Sequence, residues 1–187
     1  MADISITAAT QPRSAAAEPL LAAAPVEPHW DLIELLFFAY RDFVSDPDEV
    51  LARLGFGRAH HRVLHFVNRN PGIKVADLLD ILRITKQSLG RVLKQLIDDG
   101  YVVQREGAHD RRQRLLYVSP AGEALALQLA GLQTTRIARV LDELGPGARE
   151  AVRRFLAGMI DAGDRDAVLR LIADADRARL RARNGGS

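Results

Sequence analysis

Two groups of residues in this 187-residue chain could do chemistry. The first is His60, His61 and His65, in which His61 and His65 are four residues apart. On a helix that spacing puts two imidazoles on one face, the way two nitrogen ligands reach one metal ion. Two histidines alone leave a tetrahedral site incomplete and no third ligand is visible in the sequence, so no metal and no cofactor is assigned. The second group is cationic. It comprises Lys86, Gln87, Ser88, Arg91 and Lys94, then Arg105, then Asp110-Arg111-Arg112-Gln113-Arg114. Lys and Arg meet phosphate oxygens, while Gln, Ser and Arg also reach base edges. Residues 85–114 hold seven Lys or Arg against four Asp or Glu, a net of +3, and the other 157 residues sum to −1. The overall charge of +2 would not announce a nucleic-acid partner, but its location does.

Composition closes other routes. With no cysteine, the chain has no disulfide, thiolate zinc site, iron–sulfur cluster or thiol redox sensor. No Gly-rich phosphate loop, nucleophile elbow or metal-hydrolase spacing occurs, so no enzyme is read here. His60-His61 with the later His109-Asp110 superficially suggests a metal phosphohydrolase, but the paired acidic ligands are missing. Of the 26 basic residues only Lys74, Lys86 and Lys94 are lysines. Arginine suits bidentate phosphate contacts, although a biased coding composition explains that preference equally well in so Ala-rich a chain.

The elements that must position these residues follow from periodicity and caps. Residues 1–29, with nine Ala, four Pro and no large aromatic, cannot bury enough apolar area to offset their ordering entropy and are expected to be a disordered tail. No signal peptide and no run approaching a membrane span is present, so a cytoplasmic location is expected. Trp30 to Val44 is apolar on nearly every side of a helix and must be covered on two faces. A second subunit would supply the second cover, and a wrapping by its own chain is the alternative. Pro47 is expected to open a separate short helix through Leu54, and a further helix runs from Arg58 to Arg69. Val75 to Leu82 forms another. Thr85 then caps a helix from Lys86 to about Asp99, with Leu89, Val92, Leu93, Leu96 and Ile97 on one stripe and Gly100 closing it. Tyr101–Arg105 and Leu115–Val118 read as two short strands.

An amphipathic helix with cations outside is usually a solvated surface helix, and a basic loop is usually a solvated loop. The order helix, tight turn, helix, basic hairpin is far more specific. It is the winged helix-turn-helix, in which the helix after the turn enters the major groove. The expected fold is therefore mainly α, with a two-stranded β wing and N- and C-terminal dimerisation helices. Its parts would be a tail over 1–29, N-terminal helices over 30–54, a DNA-binding lobe over 55–119 and C-terminal helices over 120–187.

From about Gly55 to Gly122 the chain resembles the MarR family of bacterial transcription regulators. Asp110 to Gly122, ending Val118-Ser119-Pro120-Ala121-Gly122, looks like that family's wing and following helix start, with Ser119 where Thr is usual. Thr85 to Leu93 resembles its recognition helix, with Gly90 in place of a common hydroxyl residue. The resemblance implies an obligate homodimer on pseudo-palindromic double-stranded DNA, acting as a repressor that answers a small-molecule effector. It assigns DNA contacts to Lys86, Gln87, Ser88, Arg91, Lys94, Arg105, Asp110, Arg111, Arg112 and Arg114. Within the wing, Asp110 would hold an arginine in place while Arg112 or a neighbour reaches the DNA. It assigns effector contacts to His61, His65 and Phe37. The competing class is a winged helix serving as a protein-interaction module, which fold alone does not exclude.

Overall fold

The computed structural model describes residues 27–107 and 113–184. The tail over 1–26 and the wing tip with Asp110, Arg111 and Arg112 lie outside the described residues. The chain begins with α1 (Trp30–Ala52), one helix rather than the expected two. Pro47 lies inside it, although a mid-helix proline costs about 3 kcal/mol through its missing N–H and ring clash. The compensation is burial: Val44, Pro47 and Leu51 form the buried end of α1, at about 1.5–3 kcal/mol for each large apolar side chain removed from water. The opposite end, from Trp30 to Tyr40, is exposed throughout.

Three helices follow with the expected bounds: α2 (Arg58–Arg69), α3 (Val75–Leu82) and α4 (Lys86–Asp98). Between α2 and α3 runs a two-residue strand, β1 (Ile73–Lys74), which periodicity could not announce. The wing is the hairpin β2 (Val102–Glu106) and β3 (Arg114–Val118), paired from Val102↔Val118 to Glu106↔Arg114. With β1 the hairpin makes an antiparallel three-stranded sheet in the order β1-β3-β2, so the sheet has one strand more than expected. The C-terminal third is α5 (Pro120–Leu144), α6 (Ala148–Gly158) and α7 (Ala162–Asn184).

The core lies where α2, α3, α4 and the sheet converge on α5. Val63, Leu64, Leu78, Leu89, Leu96, Val102, Leu116 and Leu129 are essentially sealed from solvent. Leu89, Val92, Leu93 and Leu96 come from the one apolar stripe of α4, so the stripe that anchors the helix also fixes which face points away. Gly100, at φ 78, provides the left-handed step that turns the chain from α4 into β2.

Candidate nucleic-acid interface

The outward face of α4 is set by its cap. Thr85 Oγ1 accepts the Ser88 amide at 3.1 Å and donates its own proton to Ser88 Oγ at 2.9 Å. The Ser88 hydroxyl is thus held by the cap and retains its own proton as a donor. Lys86, Gln87, Arg91 and Lys94 are all exposed, and Gly90 sits among them with no atom within 4 Å of where a Cβ would be. This face presents four long polar side chains around a bare patch of backbone. Lys94 forms an ion pair with Asp98 one turn further on, so part of its charge is answered within the helix. An i,i+4 reading of the sequence could have found that pair.

Two contacts orient α4 on the rest of the lobe. At the start of α2, Gly57 N–H donates to His60 Nδ1 at 3.1 Å, which leaves the imidazole proton on Nε2. That proton is donated to Gln95 Oε1 at 2.9 Å, and the ring stacks on Phe56 with centroids 4.8 Å apart. His60 therefore ties the end of one helix to the flank of another, a positioning role that sequence reading missed. Behind the α3–α4 turn, Arg62 Nη2 donates to Leu82 O at 2.9 Å. Arg83 holds that turn in the left-handed region at φ 49, where a residue bearing a Cβ is strained.

The described part of the wing carries two of the expected cations, and both are engaged. The Arg105 guanidinium lies 4.9 Å above the Tyr117 ring, a cation–π contact that holds it flat against β3. Arg114 Nη1 donates to Glu106 Oε1 at 2.9 Å across the first pair of the hairpin. Glu106 is a carboxylate partner in the wing that sequence reading missed: the hairpin register puts it directly opposite Arg114. Glu106 lies eight residues from Arg114 in sequence, so no spacing rule would have joined them.

The wing is joined to α5 without room for a side chain. Ser119 Oγ caps α5 by accepting the Gly122 amide at 3.0 Å, and donates to Gly100 O at 2.6 Å. A Cβ on Gly122 would overlap the Tyr101 carbonyl oxygen and lie 2.9 Å from its carbon. This is the physical content of the Ser-Pro-Ala-Gly motif: a cap, a proline at the first helical position and a close backbone approach.

The histidines separate. His61 is half-buried on α2, and loss of solvent lowers its pKa from the ordinary value, partly opposed by Asp48. His65 is lowered as well, first by desolvation of the ring and then by the positive neighbours His61 and Arg69. Among the described residues no group of three His, Cys, Asp or Glu side chains converges as a metal site would require. His65 lines a cleft of about 870 Å³ between α2, α3 and α7. His61 and Phe37 are not in its lining, and Phe37 stands 69% exposed on α1.

Comparison with known proteins agrees with this geometry. A family profile described as MarR family matches residues 54–113. The HTH-type transcriptional regulator PetP of Rhodobacter capsulatus is 46% identical over 129 residues, covering 69% of this chain and 78% of that protein. Among solved structures, Streptococcus pneumoniae FabT in complex with DNA superposes with a TM-score of 0.63 at 12% identity, over 71% of this chain and 94% of FabT. NadR in complex with 4-hydroxyphenylacetate gives 0.60 at 19% identity, over 76% of this chain and 99% of NadR. Among the described residues no helix is long and apolar enough to cross a membrane.

Proposed function

This chain belongs to the MarR family and is a DNA-binding transcription regulator, not an enzyme; from that premise we propose that it is a ligand-responsive repressor acting as a homodimer on pseudo-palindromic duplex DNA. The observation that carries the dimer is the free end of α1. Trp30, Leu32, Ile33, Leu35, Leu36, Phe37, Phe38 and Tyr40 are between 41% and 69% exposed on one helix. A contiguous apolar surface of this kind is costly in water and typical of an obligate interface, which commonly buries about 2,000 Å² or more. Exposed Phe155 and Leu156 on α6 extend the same reading to the C-terminal helices.

A two-fold dimer presents two α4 helices, so its operator carries two half-sites about one helical turn apart. Gln87, Ser88 and Arg91 read base edges. Lys86 and Lys94 hold phosphates, and Arg105, Arg111, Arg112 and Arg114 serve the wing, organised in part by Asp110. FabT, a fold relative, is solved with DNA, which supports this use of the fold. Repression follows by occlusion of the promoter. NadR, solved with 4-hydroxyphenylacetate, supports a ligand input.

The test is selection of duplexes from a random pool, followed by anisotropy and light scattering on the bound species. The expected result is a pseudo-palindromic consensus bound by two chains, with free protein at twice the chain mass. A stable folded monomer, or a consensus without two-fold symmetry, overturns it.

A further inference from the structure

The cleft between α2, α3 and α7 has a ligand chemistry legible from its walls. Its floor is apolar, built from Phe66, Ile81, Val168 and Leu171 among others. At about 870 Å³ it falls within the range of small-molecule sites. Its rim carries Asp77, Asp80, Asp161 and Asp164, against a single permanent cation among the described residues that line it, Arg83, which is ion-paired with Asp164. His65, an exposed imidazole, is not a permanent cation.

Helix electrostatics account for three of the four carboxylates. Asp77 lies in the first turn of α3, and Asp161 and Asp164 stand at the start of α7, where a negative charge meets the positive end of the helix. Asp80 does not fit that account. It sits near the C-terminal end of α3, where the dipole disfavours a carboxylate, and has no ion pair among the described residues.

We propose that this cleft binds an amphipathic cation, an apolar body against Phe66, Ile81 and Leu171 with an ammonium-type head at Asp80 and Asp161. The proposal rests on the ligand-responsive reading above and names the ligand class. It also supplies a route to the DNA face. Arg83 holds the left-handed residue of the α3–α4 turn, two residues before the Thr85 cap, and its partner Asp164 is on the rim. A bound cation competes with Arg83 for Asp164 and releases the turn from α7. Both side chains are largely exposed, so the effect on DNA affinity is a few-fold rather than all-or-none. By linkage, DNA weakens the cation's binding by the same factor.

The experiment uses the full chain, a duplex from the selection above, and three probes that share a naphthyl body and carry a cationic, a neutral or an anionic head: 1-naphthylmethylamine, 1-naphthylmethanol and 1-naphthoate. Calorimetry should show the amine binding about ten-fold or more tighter than the naphthoate. Asp80→Asn with Asp161→Asn should erase that preference while thermal unfolding stays cooperative. Ala167→Phe, which fills the cleft from α7, should weaken all three probes. Naphthoate binding as well as the amine, no probe binding at all, or a preference that survives the two Asn substitutions overturns the proposal. Duplex binding by ligand-free protein is measured in the same samples. Its loss would sink the DNA reading, while duplex binding without amine selectivity sinks only the ligand class.

Discussion

Gly122, in the first turn of α5, packs against the Tyr101 carbonyl so closely that any side chain would overlap it. The close approach fixes the angle at which the wing leaves the C-terminal helix. Gly122→Ala should therefore destabilise the fold by about 1–3 kcal/mol, the usual scale for overpacking against atoms that cannot move aside. Gly131→Ala, further along α5 with nothing within 4 Å of its Cβ position, should be neutral or stabilising by up to about 1 kcal/mol. Urea unfolding of the two variants checks the contrast.

Asp98 restrains the charge of Lys94. Asp98→Asn should tighten binding to random-sequence duplex by a few-fold and steepen its salt dependence. Arg91→Ala should instead weaken the selected duplex more than random DNA. Equal losses on both would remove Arg91 from base reading. Anisotropy titrations at several salt concentrations separate the two effects.

If Arg112 meets one phosphate in each chain of the proposed dimer, Arg112→Ala removes two contacts and should lower the slope of log affinity against log salt by about 1.8. Asp110→Ala should also weaken binding, although it removes a negative charge that Coulomb's law says ought to repel DNA. Tighter binding by Asp110→Ala would show that the carboxylate organises nothing. Tyr117→Phe should keep Arg105 in place, and Tyr117→Ala should release it and lower affinity, because the ring face rather than the hydroxyl makes the contact.

The depressed pKa values of His61 and His65 predict a pH dependence of stability with a definite sign. Both rings are harder to protonate in the fold than in the unfolded chain, whose ordinary value is 6.5. Below that pH the unfolded state binds more protons, so stability should fall as pH drops from 7 through 6 and level off below the folded values. His61→Gln should flatten part of this slope. Chemical unfolding at a series of pH values measures it.

How far the sequence disclosed this architecture depended on the range of the interactions. The bounds of α2 and α3 were legible because each has strong periodicity within a dozen residues, and α4 added the Thr85 cap and Gly100 closure. Pro47 misled because propensity is local, while the burial that carries α1 through it comes from elsewhere in the chain. Strand β1 has only two residues, and its existence depends on β3, some forty positions later. The ion pairs that tie α7 to the rest of the chain, Arg83–Asp164 and Arg69–Asp176, join residues 81 and 107 apart in sequence. The cations of α4 and the wing were identified by type and spacing; Asp98 lay within reach of an i,i+4 reading, whereas Tyr117 and Glu106, the partners of Arg105 and Arg114, emerged only with the strands in register.

Strand β3 is central in its sheet, bonded on one side to β2 and on the other to the segment entering α3, where Gly72 N–H donates to Leu116 O at 2.8 Å. The wing is accordingly not a flap hinged on an independent domain. In hydrogen-exchange terms, the amides of Gly72 and of the inner wing strand belong to one opening event, slowed by the sealed side chain of Leu116. Loosening the root of the wing must also unlatch the entry to the helix-turn-helix, so the rigidity that aims α4 and the rigidity that holds the wing form a single cooperative unit.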